Sequence, residues 1–246
     1  MTYLIFIVFV AVCFRLIAPY VHLWYVKEYR FDRMMIHLRT PQGKLVLIPP
    51  YKLPPLSPKT ALLSLLLFCY ASLIYFFAPF GIWGNSVLVL GTLYGISWFF
   101  VWLLSVPTRI YHAYVISKAV KKLRHHTPMI VIGITGSYGK TSTKEFLATI
   151  LSSRYKVLKT EASKNLPIGI AETIHKSLKD DHEVFIVEMG AYRPGEIAKM
   201  CSMVHPTIGI VTAINPQHQD LFLSLETTKK AKFELFEGLI GERVAI

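Results

Sequence analysis

The chain has 246 residues, of which 53% are hydrophobic, and its formal net charge is +12. Its mean hydropathy of +0.43 is high for a soluble globular protein and indicates membrane-embedded segments. Residues 1–126 carry 13 Lys and Arg against 2 Asp and Glu, whereas residues 127–246 carry 14 against 13. Because the basic excess flanks apolar segments, it indicates membrane topology and argues against a nucleic-acid partner.

Three apolar segments predict membrane spans at about 3–25, 61–79 and 87–106, each close to the ~20 residues that a spanning helix needs. Arg15 interrupts the first span, and we expect it to snorkel or to face protein. Lys and Arg residues are frequent in 27–60 and again after residue 107, which predicts that both segments are cytoplasmic. Residues 1–107 are thus predicted to be a transmembrane region of the inner (plasma) membrane, with a basic cytoplasmic loop at 27–60.

Residues 108–127 predict a basic juxtamembrane helix that contains Lys118, Lys121, Lys122 and Arg124. Two interpretations are equally supported by the sequence. The helix lies against anionic lipid headgroups, or it is a plain linker helix.

Residues 128–246 read as an alternating α/β protein. Apolar runs predict strands at 129–135, 156–158, 184–189, 207–214 and 243–246. Helical patterns fall between them, at 140–153, 168–178, 195–203 and 228–239. Alternation of this kind, with near-continuously apolar strands, predicts a parallel sheet covered by helices on both faces.

A glycine-rich loop follows the first predicted strand and opens the next helix. Its glycines are spaced G-x-x-G-x-x-G-K-T from Gly133 to Thr141, so Gly133 falls one residue too early for the common G-x-x-x-x-G-K-[ST] pattern. Glycines let backbone N–H groups turn toward one anion, and the following helix adds its positive end. Lys140 can reach the outer phosphates of a nucleotide, and the Thr141 hydroxyl can bind magnesium. The loop therefore predicts an ATP site.

Glu188 lies at the carboxyl end of the predicted strand at 184–189. Open α/β sheets bind ligands at the carboxyl ends of their strands, so a magnesium ligand is one interpretation. A solvated glutamate at a strand end is the other, and position alone does not separate the two.

Five segments of the chain, in order, resemble the Mur ligases, the ATP-dependent amide ligases of peptidoglycan synthesis. They are the phosphate loop at 134–145, a substrate-side loop at 163–169, a second motif at 187–197, and two further segments at 215–218 and 231–239. The segment at 187–197 has the form typical of the D-alanyl-D-alanine-adding branch of the family. The resemblance covers residues 129–246 and implies that they are the family's ATP-binding central domain.

The resemblance implies roles for individual residues. The phosphates of ATP would be held by Gly136, Ser137, Tyr138, Gly139, Lys140, Thr141 and Ser142. Thr141 and Glu188 would bind a first magnesium ion, and His218 a second. Lys232 matches a lysine that is carbamylated in several family members and there helps bind metal, and Asn165 would lie on the substrate side. Lys140, Lys232 and His218 would be the catalytic residues.

The chemistry implied is activation of a cell-wall precursor carboxylate as an acyl phosphate, followed by attack of an amino acid or dipeptide amine. Two features depart from the family. Membrane spans stand where the family has a domain that binds the UDP-sugar precursor, and the chain ends at Ile246 as a strand begins. We therefore expect a truncated central domain that is not a competent ligase alone.

Two other functions stay open. One is an amide ligase of another polymer, such as poly-γ-glutamate. The other is a membrane scaffold that has kept the nucleotide-binding fold and lost catalysis. The five residues Lys140, Thr141, Glu188, His218 and Lys232 are all present, which argues against the scaffold.

Overall fold

The computed structural model describes residues 2–39, 52–126, 129–161, 164–191, 193–215, 225–240 and 244–245. Its helices are α1 (Thr2–Val26), α2 (Phe31–Arg39), α3 (Pro58–Phe77), α4 (Gly81–His125), α5 (Lys140–Leu151), α6 (Pro167–Ser177), α7 (Glu196–Val204) and α8 (Leu225–Glu237). Its strands are β1 (Ile130–Thr135), β2 (Val157–Lys159), β3 (Val184–Glu188), β4 (Ile208–Val211) and β5 (Val244–Ala245). The chain divides into two compact units, Met1–Arg109 and Ile110–Ile246.

The first unit consists of α1, α2, α3 and the first part of α4. Three helical segments that begin in this unit, Ile7–Val26, Pro58–Phe77 and Gly81–His125, are long and apolar enough to cross a membrane. Its buried core contains several aromatic side chains. The rings of Trp24 and Trp98, for example, pack edge to face with their centroids 5.1 Å apart. The indole Nε1 of Trp24 also donates a hydrogen bond to Ser97 Oγ at 3.0 Å, so its polar group is satisfied inside the bundle.

The helix α4 differs from the sequence prediction, because the third span and the juxtamembrane helix are one continuous helix that includes Pro107. Proline removes one hydrogen bond from a helix and usually kinks or ends it. Here two hydroxyl groups add hydrogen bonds in the turn around Pro107, from Ser105 Oγ to Trp102 O and from Thr108 Oγ1 to Leu104 O. A second difference is α2, which lies in the segment predicted as a loop, whereas Lys44 in that loop lies outside the described residues.

The second unit contains a five-stranded sheet in the order β2-β3-β1-β4-β5, and all its strand pairs are parallel. The predicted α/β fold with a parallel sheet is thus confirmed. Side chains alternate between the two faces, so that Val131 and Phe185 enter one buried cluster while Ile132 and Ile186 enter the other. The helix α5 covers the second face with Ala148, and α6, α7 and α8 contribute to the cluster on the first.

The carboxyl-terminal part of α4 belongs to this second unit. Ala119 and Leu123 enter the cluster formed with α6, α7 and α8. The Nζ of Lys122 donates to three carbonyl oxygens at the end of α6, those of Ile174, His175 and Leu178, at 3.1, 3.2 and 2.8 Å. A cation at this position adds a partner for carbonyls in the last turn of the helix, of which Ile174 O also accepts from Leu178 N at 3.3 Å. Part of the apolar side of the juxtamembrane helix therefore faces protein, whereas Ile110, Tyr111 and Tyr114 are exposed, so both interpretations of this helix stay open.

The connections from the strands define where a ligand can bind. The chain leaves β1 toward β2 on one side, whereas it leaves the neighbouring strand β4 toward β5 on the other. In open α/β sheets such a reversal of direction forms a crevice at the carboxyl ends of the strands, and ligands bind there. The glycine-rich loop follows β1 and therefore lies at this crevice.

Candidate functional site

The loop between β1 and α5 has a backbone that only glycine adopts easily. Gly136 has a φ of +146° and Gly139 a φ of +81°. A Cβ atom on Gly136 would lie 1.9 Å from the hydroxyl of Thr212, so no other residue fits at this position. The backbone N–H of Ser137 donates to Ala213 O at 2.7 Å, which ties the loop to the segment that follows β4.

The amino-terminal end of α5 is open to an anion. Its N-cap is Gly139, which has no side chain with which to bond the first amides of the helix. Lys140 bends back over the loop, and its Nζ donates to Gly136 O at 2.9 Å and Ser137 O at 3.2 Å. Burial lowers the pKa of Lys140, and the nearby charge of Glu188 partly opposes that shift. A partly buried lysine such as Lys140, next to the free backbone amides at the start of a helix, forms an arrangement that can bind phosphate.

Glu188 lies at the end of β3, next to this loop, because the register of the sheet pairs it with Ile134 of β1. It is only 2% exposed. Its Oε2 accepts hydrogen bonds from Thr141 Oγ1 at 3.0 Å and from Lys144 Nζ at 3.2 Å. Its backbone N–H donates to Thr160 Oγ1 at 3.0 Å. Glu188 is therefore a buried, fixed carboxylate and not a solvated glutamate.

Asn165, predicted to be on the substrate side, contacts the same carboxylate. Its Nδ2 donates to Glu188 Oε1 at 3.1 Å, and its backbone oxygen accepts from Gly190 N at 2.7 Å. A Cβ on Gly190 would lie 2.8 Å from Asn165 Cγ, so glycine at 190 allows this close approach. The two oxygens of Glu188 are thus held from different elements of the domain.

Comparison with known proteins identifies the α/β unit. Residues 134–246 match the Mur ligase middle domain. This region is a Mur ligase middle domain. The resemblance that the sequence motifs predicted is confirmed for this part of the chain.

The relatives that match this domain in sequence or in structure include ligases of the MurF type. A UDP-N-acetylmuramoyl-tripeptide–D-alanyl-D-alanine ligase of Synechocystis sp. is 40% identical over 116 residues, which are 47% of this chain and 25% of the relative. The ligase of the same name from Escherichia coli is 37% identical over 124 residues, 50% of this chain and 27% of the relative. MurF ligase from Thermotoga maritima, solved in complex with ADP, superposes with a TM-score of 0.52 at 30% identity, over 55% of this chain and 31% of that one. The chain spans about a quarter of the length of the curated relatives it matches.

One residue of the Mur ligase middle domain that the sequence prediction missed is Lys144. It follows Lys140 by one helical turn on α5, so both lysines face the carboxyl edge of the sheet. Its side chain is 0% exposed. The sequence indicates this role of Lys144 only by its spacing, four residues after Lys140. Because a charged residue on a helix is usually solvated, that spacing alone did not predict a buried lysine.

The donor atoms of the Mur ligase middle domain fit magnesium. Thr141 supplies a hydroxyl and Glu188 a carboxylate, both oxygen donors, and they meet at the phosphate loop. Among the residues that the structure describes, no three His, Cys, Asp or Glu side chains cluster as an all-protein metal site. Magnesium is commonly held by one or two carboxylates together with substrate phosphates, so this sparse donor set fits it.

Lys232 lies on α8 and is only 5% exposed. Burial, followed by the positive charge of Lys140, lowers its pKa from 10.5 to about 8, while Glu196 and Glu234 act in the opposite direction. Glu234 is fixed, because its carboxylate accepts from two backbone amides at the start of α7, those of Gly195 and Ala198, at 2.6 and 3.1 Å. His218 lies outside the described residues, so its predicted role in binding metal stays a prediction.

The other predicted phosphate-binding residues line the loop and the first turn of α5. Tyr138 is 52% exposed, and its carbonyl accepts from Thr212 Oγ1 at 2.6 Å. Ser142 is exposed in the first turn of α5. Their backbone groups are placed to contribute, and the predicted roles stay predictions.

The lowered pKa of Lys232 predicts a pH dependence of stability. Between pH 8 and 10.5 the unfolded chain retains a proton on Lys232 that the folded protein has released, so the free energy of unfolding rises with pH in this interval. At about 1.4 kcal/mol for each pKa unit, the contribution of Lys232 reaches roughly 3 kcal/mol. Urea unfolding in detergent micelles and CO2-free buffer, followed by circular dichroism, measures it as the difference between the wild type and Lys232→Met. A difference that does not change across this pH range would contradict the prediction.

Proposed function

We propose that this protein is a membrane-anchored, ATP-dependent amide ligase of the MurF type, which acts on a peptidoglycan precursor. One observation carries the proposal: Lys140, Thr141 and Glu188 meet at the phosphate loop of a Mur ligase middle domain. The names of its relatives support the substrates, UDP-N-acetylmuramoyl-tripeptide and D-alanyl-D-alanine. The MurF ligase solved with ADP supports a nucleotide at this loop.

The proposed reaction proceeds in two steps. The substrate carboxylate attacks the γ-phosphorus of ATP, which forms an acyl phosphate and releases ADP. The amine then attacks the acyl carbon, the C–O bond to phosphate breaks, the nitrogen releases one proton to solvent, and the amide bond forms. In both steps the protein positions the groups and neutralises charge, and magnesium, when bound, supplies much of that neutralisation.

Each residue has a defined part in the proposed reaction. Lys140 and the first amides of α5 would hold the outer phosphates of ATP, because their charges point into the loop. Thr141 and Glu188 would hold the first magnesium ion. Asn165, which donates to the second oxygen of Glu188, would keep that carboxylate in one orientation.

Lys232 has the properties that carbamylation requires. An amine reacts with CO2 only in its neutral form, and a pKa of about 8 leaves a useful neutral fraction near pH 7 to 8. We propose that the carbamate of Lys232, with His218, helps hold the second magnesium ion. Supplying 13C-labelled CO2 should give a carbamate resonance that is absent from the Lys232→Met variant.

The test of the ligase is phosphate release by the natural protein that carries this chain. Supplied with ATP, UDP-N-acetylmuramoyl-tripeptide and D-alanyl-D-alanine, it should release phosphate and form the amide together, and omission of either substrate should stop both. Release only with another carboxylate and amine would replace the MurF reaction with that of another polymer ligase. No turnover of ATP with any pair would favour the scaffold.

The location of the protein is part of the proposal. The three apolar helical segments support a multi-pass protein of the plasma membrane, and the basic residues support a cytoplasmic position for residues 27–60 and for the ATP-binding domain. ATP and the nucleotide-linked precursor are then on the same side as the domain.

Cysteine labelling tests this topology. In a background without Cys13, Cys69 and Cys201, we expect Lys44→Cys to react with a membrane-impermeant maleimide only after the cells are permeabilised. Trp83→Cys is the matched control, because this exposed residue lies in the first turn of α4, which begins on the predicted outer side. It should react in intact cells. Labelling of Lys44→Cys from outside would overturn the topology.

A further inference from the structure

The carboxylate of Glu188 has a buried positive charge beside it. The side chain of Lys144 is 0% exposed, that of Glu188 is 2% exposed, and Nζ lies 3.2 Å from Oε2. The same oxygen accepts from the hydroxyl of Thr141 at 3.0 Å. The oxygen that would face a metal at the phosphate loop is therefore also the one that pairs with a lysine inside the protein.

The ion pair continues to the surface of the domain. Lys144 Nζ also lies 3.6 Å from Glu145 Oε1, and Glu145 in turn pairs with Lys159, which is half-exposed. Positive and negative side chains thus alternate from Glu188 outward. A buried lysine is costly unless its charge is balanced, and here two carboxylates balance it.

This arrangement has an electrostatic consequence for a metal at Glu188. A divalent cation bound by Glu188 Oε2 and Thr141 would share that oxygen with the ammonium group of Lys144. Repulsion between the two cations weakens binding, since charges interact strongly at short range in a partly buried site. The phosphates of a nucleotide bring negative charge to the same place and remove the penalty.

We propose that Lys144 is the internal counter-ion of Glu188, a positioning residue whose charge makes divalent-cation binding by this carboxylate depend on nucleotide phosphates. The inference rests on the proposed ATP-binding function of the loop. It implies that the site takes its metal together with the nucleotide and holds free metal weakly.

Binding of Mn2+ without nucleotide, measured by electron paramagnetic resonance on the full chain in detergent micelles, tests the proposal. We expect Lys144→Met to bind Mn2+ at least tenfold more tightly than the wild type, and Lys144→Arg, which keeps the charge, to bind as the wild type does. A merely structural lysine would give the opposite result, because its loss would loosen the carboxylate and weaken the metal. Equal or weaker binding by Lys144→Met would overturn the proposal.

Further variants separate the loss of the Lys144 charge from a loss of folding. Lys144→Gln can still donate a hydrogen bond to Glu188 without a charge, and it should also bind Mn2+ more tightly. The double variant Lys144→Met/Glu188→Gln removes both charges, should fold, and should not show the gain in affinity. If Lys144→Met and Lys144→Gln are unfolded without metal, Mn2+ should restore their thermal stability, because a cation that binds only the folded state stabilises it. Failure of Mn2+ to restore them would count against the counter-ion role.

A second measurement separates this inference from the proposed function. The wild type is titrated with a fluorescent ATP analogue in the presence of Mg2+. Absence of nucleotide binding would overturn the proposed function even where Lys144→Met gains affinity for Mn2+. Nucleotide binding together with an unchanged Mn2+ affinity in Lys144→Met would overturn only the role of Lys144.

Discussion

Replacing Lys140 with methionine should weaken ATP binding roughly 10- to 150-fold, because a hydrogen bond to a charged group contributes about 1.5–3 kcal/mol. Methionine has a similar length and no charge. The Nζ of Lys140 lies over the loop, in contact with Gly136 O and Ser137 O, so its charge is within reach of a phosphate held by the first amides of α5. A fluorescent ATP analogue, titrated with Mg2+ into the full chain in detergent micelles, measures the change.

A lysine outside the site provides the control. Lys199 is exposed on α7, and Lys199→Met removes the same charge from the domain while leaving the loop intact. We expect its affinity for the analogue to equal that of the wild type. Circular dichroism checks that both variants are folded. A folded Lys140→Met variant with wild-type affinity would mean that the phosphates bind elsewhere.

Gly136→Ala should lower the free energy of unfolding of the α/β unit by about 3 kcal/mol, through backbone strain and overpacking together. The φ of +146° at Gly136 is a conformation that residues with a side chain rarely adopt. In addition, the new Cβ would lie 1.9 Å from Thr212 Oγ1, a hydroxyl whose single proton is already shared between Tyr138 O at 2.6 Å and Thr135 O at 3.1 Å. Thr212 cannot move away without breaking these bonds, so the loop itself must shift.

Gly139→Ala separates the two causes. Gly139 also has a positive φ, of +81°, but the nearest atom to a Cβ there is Thr212 Cβ at 3.9 Å, which is ordinary contact. Only backbone strain should apply, so we expect a loss of about 1 kcal/mol. Urea unfolding followed by circular dichroism compares the two variants. Equal losses would show that the contact with Thr212 does not matter.

Most of the α/β fold could be predicted from the order of apolar and helical segments. The runs at 130–135 and 184–188 are almost entirely apolar, and such runs in an alternating chain fit buried parallel strands. The predicted strands and helices agree with the observed ones to within a few residues at their ends. Two elements differ from the prediction: α2, and the continuity of α4 through Pro107, where the hydroxyls of Ser105 and Thr108 bond to carbonyls of the preceding turn.

The candidate site was only partly predictable. The motifs placed Lys140 and Thr141 on the loop, because a phosphate loop is encoded by consecutive residues. Glu188 was ambiguous from position alone, since its use depends on the strand that lies beside it. Lys144 was missed because a sequence shows that a helix carries a lysine but not which side of the helix a sheet covers.

The local elements of this protein could be predicted from the chain alone: the apolar helices, the buried strands and the glycine loop that opens α5. Each of these is specified by residues that are neighbours in the chain, through periodicity, composition and turn chemistry. The burial of Glu188, which is 2% exposed, and the contacts that Thr141, Lys144 and Asn165 make with it arise from tertiary packing. These partners come from separate segments, and the sheet register that pairs Ile134 with Glu188 brings them together. Burial raises the energetic cost of an unpaired charge. Packing, and not proximity in the sequence, therefore decides which polar groups pair with each other.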